Sequence, residues 1–92
     1  MTDAETILIV EDEQQIREAV AMALGCEGFV VCEAGTARHA AVQAAARKPN
    51  LVILDLGLPD RDGVDFIRDF RAWSSTPILI LSARSEESSK VD

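Results

Sequence analysis

Three acidic side chains stand at the ends of the most apolar stretches in this 92-residue chain. Glu11 and Asp12 close the run Thr6-Ile7-Leu8-Ile9-Val10, and Asp55 closes Leu51-Val52-Ile53-Leu54. A further run, Ile78-Leu79-Ile80-Leu81, delivers a hydroxyl, Ser82. Carboxylates brought within a few ångströms repel one another unless a cation lies among them. Hard oxygen donors of this kind suit Mg²⁺, held by one or two carboxylates, a carbonyl and waters. A metal site with an Asp and a hydroxyl beside it suits phosphoryl transfer. The cation screens the incoming group, a carboxylate oxygen attacks phosphorus, and Ser82 donates a hydrogen bond to a phosphoryl oxygen. Blander readings exist for each residue alone: a strand-end Asp is often a turn residue or helix cap, and Ser82 a loop hydroxyl.

The grouping depends on the elements that position these residues. Apolar runs without alternation read as parallel strands covered on both faces. Such strands are expected at Thr6–Val10, Phe29–Cys32, Leu51–Leu54 and Ile78–Leu81. Between them, helical spacing predicts a helix from Gln14 to Gly25, with Ile16, Val20, Ala23 and Leu24 inward and Arg17 and Glu18 outward. Gly25 or Gly28 can end it. Thr36 is a candidate N-cap for an Ala-rich helix from Ala37 to Lys48, stopped by Pro49-Asn50. A third helix is expected from Gly63 to Trp73, with Val64, Ile67 and Phe70 or Arg71 repeating. The order βαβαβαβ is that of an α/β parallel sheet. In such a sheet the carboxyl ends share one edge, so Glu11, Asp12, Asp55 and Ser82 can converge.

Composition bounds the alternatives. The formal net charge of −7 argues against nucleic acid or an anionic membrane as a partner of this segment. No apolar run approaches the length of a membrane span, and the acidic start Met1-Thr2-Asp3-Ala4-Glu5 lacks the basic region of a signal peptide. A cytoplasmic location is expected. Cys26 and Cys32 lack metal-ligand spacing and read as reduced thiols filling space. His39 sits in the Ala-rich helix as a structural histidine, and Trp73 reads as an edge-of-core anchor. The glycines form no nucleotide-binding pattern. A haloacid-dehalogenase-type phosphatase wants a second Asp two residues after the first, where this chain has Gly57.

Ile9-Val10-Glu11-Asp12-Glu13, then Asp55-Leu56-Gly57-Leu58-Pro59-Asp60-Arg61-Asp62-Gly63, then Leu81-Ser82-Ala83 together resemble the receiver domain of two-component response regulators. The wording looks especially like potassium-responsive members of the OmpR/PhoB class, from about Thr6 onward. The resemblance implies a flavodoxin-like (CheY-like) doubly wound parallel sheet of strand order 2-1-3-4. It implies a phosphoacceptor rather than an enzyme, with at most weak self-dephosphorylation. By the same resemblance Asp55 would take the phosphoryl group from a sensor histidine kinase, Ser82 would contact it, and small Ala83 would leave the site open. Mg²⁺ would be held by Asp12, Asp55, the main-chain carbonyl of Gly57, and Glu11 directly or through water. Pro59 and Gly63 would shape the loop. Glu11 replaces the Asp of many members, keeping the charge on a longer arm.

Receivers continue with another helix, a fifth strand ending in Lys, and a final helix. The expectation from these 92 residues is one domain, 1–92, truncated before those elements, with Lys90 too early to take the place of that Lys. Strand four then becomes an apolar edge, which predicts self-association. Two functions follow: a phosphoacceptor module of a transcriptional regulator whose DNA-binding domain lies elsewhere, or a non-phosphorylated interaction or dimerisation module. A small Mg²⁺-dependent phosphohydrolase is a weaker third.

Overall fold

The computed structural model describes residues 4–81. The expected alternation is present: β1 (Thr6–Val10), α1 (Gln14–Cys26), β2 (Val30–Ala34), α2 (Ala37–Arg47), β3 (Leu51–Leu54), α3 (Gly63–Arg71) and β4 (Ile78–Ile80). The strands form one parallel sheet in the order β2-β1-β3-β4. The two central strands, β1 and β3, carry unbroken aliphatic runs because they need apolar side chains on both faces.

Alternation along each strand divides the core in two. Leu8, Val10, Val52 and Leu54 point to one face, where α2 supplies Ala37, Ala40 and Ala44 and α3 supplies Phe66 and Phe70. The small alanines let α2 lie close to the sheet. Ile7, Ile9 and Ile53 point to the other face, against Val20, Ala21 and Leu24 of α1. This second layer is thinner, and no residue of α1 is fully buried.

The structure corrects these expectations in detail. β2 starts one residue later and runs two further than its apolar run, because its length is set by pairing with β1, Thr6↔Val30 through Val10↔Ala34. α1 continues through Gly25 to Cys26, so of the two glycines expected to end it Gly28, at φ 97°, makes the left-handed exit; Ala21 faces inward with Val20 and Leu24, while Ile16 and Ala23, expected there, are exposed. In α3 the buried positions are Gly63, Phe66 and Phe70, while Val64 is exposed. The expected burial of β4 is not met: at one end of the sheet among the described residues, it leaves Leu79 and Ile80 exposed. Of the thiols, Cys32 fills core space but Cys26 is exposed. His39 lies on the surface, and Trp73 packs edge-on against Phe70 with ring centres 5.0 Å apart.

Candidate functional site: a carboxylate cluster at the sheet edge

β1 and β3 pair in register up to Val10↔Leu54, so the next residues of each strand, Glu11 and Asp55, leave the sheet side by side. Two main-chain bonds extend the ladders past the last paired residues. Asp55 N–H donates to the Val10 carbonyl at 2.9 Å, and Glu11 N–H to the Ala34 carbonyl at 3.0 Å. These bonds fix both Cα positions before any side chain acts. The result is a tight group in which carboxylate oxygens of Glu11, Asp12 and Asp55 lie within 4.8 Å of one another. Glu11 and Asp55 are each 1% exposed, whereas Asp12 faces solvent. Buried charge of one sign is costly and is stabilised by a bound cation. The donor set, three hard oxygen ligands with one open side, can hold a metal ion.

Local hydrogen bonds orient the cluster. The Glu11 Oε2 accepts from Glu13 N–H at 2.9 Å, which turns that carboxylate back over the start of α1. Asp55 Oδ1 accepts from Gly57 N–H at 3.1 Å, so the backbone of the loop after β3 folds onto the carboxylate that precedes it. Gly57, expected as a carbonyl ligand, is therefore placed beside Asp55 and exposed at the loop. Ser82 and Ala83 lie outside the described residues.

The loop from Leu56 to Asp62 is held at both ends. Gly63 N–H donates to the Leu56 carbonyl at 3.1 Å, and a Cβ at residue 63 would stand 2.7 Å from Leu56 Cα. Only glycine permits that approach. Asp62 caps α3 by accepting from Val64 N–H at 3.0 Å. Leu58 turns into the main core. Pro59, on the exposed side, leads to Asp60.

Two residues with clear roles are not apparent from the sequence. Helical spacing points Arg17 outward. Instead it lies along the sheet edge, donating from Nε to Glu33 at 3.1 Å and from Nη1 to the Glu11 main-chain carbonyl at 3.0 Å. Spacing alone gives no sign of this, because both partners lie outside α1. Asp60 accepts from Ala37 N–H at 2.8 Å and from Arg38 N–H at 3.0 Å, capping α2 from another loop. The Ala37 N–H, more than any other group, holds the Asp60 carboxyl below its ordinary range. A faint signal exists: α2 has no acidic residue in its own first turn.

A family model described as the response regulator receiver domain matches residues 7–92. The chain is 58% identical over 85 residues to the KDP operon transcriptional regulatory protein KdpE of Escherichia coli K12, covering 92% of this chain and 38% of that protein. It is 42% identical over 85 residues, with the same shares covered, to the transcriptional regulatory protein KdpE of Mycobacterium tuberculosis H37Rv. Both alignments thus span less than two fifths of the relative's length. Among solved structures, the chemotaxis response regulator CheY4 of Vibrio cholerae superposes with a TM-score of 0.82 at 27% identity, covering 97% of this chain and 80% of that one. The BeF3-activated N-terminal receiver domain of Klebsiella pneumoniae RstA gives 0.79 at 29% identity, covering 94% and 76%.

Proposed function

The chain belongs to the response regulator receiver family, and on that premise we propose that it accepts a phosphoryl group on Asp55 from the phosphohistidine of a sensor kinase. The observation that carries the reading is the buried Asp55 within 4.8 Å of two further carboxylates at the sheet edge. One Asp55 oxygen attacks phosphorus as the phosphorus–nitrogen bond to imidazole breaks. With a proton already on the other ring nitrogen of the phosphohistidine, the electron pair of that bond returns to the ring, and the products are an acyl phosphate on Asp55 and a neutral imidazole on the kinase. Gly57 N–H, already on Oδ1, restrains the carboxylate from the loop that follows it. Glu11, Asp12, Asp55 and the Gly57 carbonyl would hold Mg²⁺, which when bound offsets the charge on the phosphoryl oxygens. Ser82 would contact the transferred group, with Ala83 leaving room. We place the whole protein among cytoplasmic transcriptional regulators of potassium-transport operons, binding DNA through another domain; no helix of the described residues is long and apolar enough to cross a membrane.

The test is intact-mass measurement after incubation with a small acyl-phosphate donor and Mg²⁺. One phosphoryl adduct is expected on the parent chain and none on Asp55→Asn. An equal adduct on both would refute Asp55 as acceptor. A second reading, an interaction or dimerisation module without phosphorylation, draws on the exposed Leu79 and Ile80 of β4, outermost strand among the described residues. It requires no adduct on either protein and a dimer mass by light scattering.

A further inference from the structure

The geometry points to Asp60 as a positioning residue that ties α2 to the acceptor loop, so that metal binding at the carboxylate cluster and order at the start of α2 strengthen each other. The inference rests on the reading of Asp55 and its neighbours as a metal-dependent phosphoacceptor site.

A helix begins with N–H groups that have no partner within the helix. In α2 these are divided between two sources. Thr36 serves its own helix: its hydroxyl accepts from His39 N–H at 3.0 Å, while its carbonyl takes the first intrahelical bond, from Ala40 N–H at 3.0 Å. The first two N–H groups, of Ala37 and Arg38, go to the two oxygens of Asp60, 23 and 22 residues away. A carboxylate at this end also meets the positive pole of the helix. Asp60 is therefore a long-range tie between its own loop and the start of α2.

The other end of the same loop is tied to the site. Gly57 donates to Asp55 Oδ1, and between Gly57 and Asp60 the chain has only Leu58, buried with the α2 alanines, and Pro59, whose ring fixes φ. A short segment with one residue buried and one ring-locked transmits displacement instead of absorbing it. Any ligand that fixes Asp55 and Gly57 thus narrows the positions open to Asp60, and a well-capped α2 narrows those open to Gly57. Coupling of this kind is reciprocal: what the helix gains from the metal, the metal gains from the helix.

Asp60→Ala removes both acceptors and Asp60→Asn leaves one, while Thr36→Ala weakens the same helix end without touching the loop. Mg²⁺ affinity is measured by calorimetry on the full chain, well below every melting transition, with Asp55→Asn as the control that disables the site. Asp60→Ala is expected to weaken Mg²⁺ on the order of fivefold or more, and Asp60→Asn less. Thr36→Ala should bind Mg²⁺ like the parent although its melting temperature falls. In the parent, Mg²⁺ should slow hydrogen exchange at the Ala37 and Arg38 amides, and this slowing should disappear in Asp60→Ala. If Asp60→Asn and Asp60→Ala bind Mg²⁺ as tightly as the parent while Asp55→Asn does not, the coupling is refuted and the site reading stands. Equal weakening by Thr36→Ala and Asp60→Ala also refutes it, because helix stability alone would then explain the effect. Absence of Mg²⁺ binding by the parent overturns the site reading and this inference with it.

Discussion

Gly63→Ala is the substitution that most directly tests how the loop after Asp55 is held. The added Cβ would meet Leu56 Cα at 2.7 Å, Leu56 Cδ2 at 2.8 Å and the Leu56 carbonyl oxygen at 3.1 Å. Carbon atoms in good contact lie about 3.5–4.0 Å apart. The nearest obstacle is backbone, so no rotamer change removes it, and the Gly63 N–H bond to the Leu56 carbonyl opposes separation of the two segments. Forcing a methyl into such a space costs about 1–3 kcal/mol. Against this, exchanging glycine for alanine restricts the unfolded chain, a gain of about 0.4–1 kcal/mol. Because backbone meets backbone the clash belongs in the upper part of its range, which leaves a net loss of about 1–2 kcal/mol. For a domain of this size that lowers the melting temperature by about 5–15 °C.

Gly25→Ala supplies the comparison. Gly25 is inside α1, and a Cβ there would meet nothing within 4 Å. Alanine at this position should stabilise the helix by about 0.5–1 kcal/mol. Thermal unfolding followed by circular dichroism should move the two variants in opposite directions. A Gly63→Ala chain as stable as its parent would refute the claim that Leu56 and Gly63 are in obligatory contact. The same variant should bind Mg²⁺ more weakly, because Leu56 lies between Asp55 and Gly57 and any retreat of its backbone moves both.

Arg17→Met keeps much of the aliphatic stem but removes the bonds to the Glu11 carbonyl and to Glu33. The loss should be about 1–2 kcal/mol by urea unfolding, mostly from the main-chain bond, since partly exposed ion pairs contribute little; a change below about 0.5 kcal/mol would place Arg17 among ordinary surface residues. Asp60 gives a pH dependence. Its folded carboxyl titrates below the ordinary value of 3.8, chiefly through the Ala37 N–H, so its stabilisation is complete above the unfolded value and is lost as pH falls through the folded one. The stability difference between the parent and Asp60→Asn should therefore be constant near neutrality and shrink below about pH 4. A difference unchanged down to pH 3, about a unit below the ordinary carboxyl value, would show that the charge on Asp60 is not what α2 uses.

The sheet and the acidic edge were legible because they depend on one-dimensional patterns. An unbroken aliphatic run bounded by acids marks a central strand and its carboxyl end, and both β1 and β3 occupy the residues so marked. Thr36 was legible as a cap for the same reason: capping is local chemistry, and its hydroxyl does accept from His39 N–H. What was not legible depends on partners distant in sequence. β2 extends through Glu33 and Ala34 because β1 offers five residues to pair with, not because those two are apolar. In α3, Val64 and Phe66 both suit an inward position by composition. The docking of the helix through Gly63, pressed on Leu56, turns Phe66 to the sheet beside Phe70, which helical spacing already marked.

The same distinction explains how a site on loops can be rigid. Hydrogen bonding along the sheet fixes only the Cα positions of Glu11 and Asp55, and everything beyond them must be held from elsewhere. Arg17 reaches from α1 to hold the Glu11 carbonyl, Gly63 holds Leu56 from the start of α3, and Asp60 anchors the loop to α2. Each helix therefore makes an attachment to the edge where the carboxylates meet. Three attachments from three elements restrain the edge against both translation and rotation. Loss of any one should loosen the cluster without unfolding the sheet, because none of the three supplies a side chain to the apolar core on either face of β1 and β3. A chain with these ties removed singly should keep its parallel sheet by circular dichroism while its Mg²⁺ affinity declines, and that separation of fold from site is the behaviour expected when positioning resides in the helices and the scaffold in the strands.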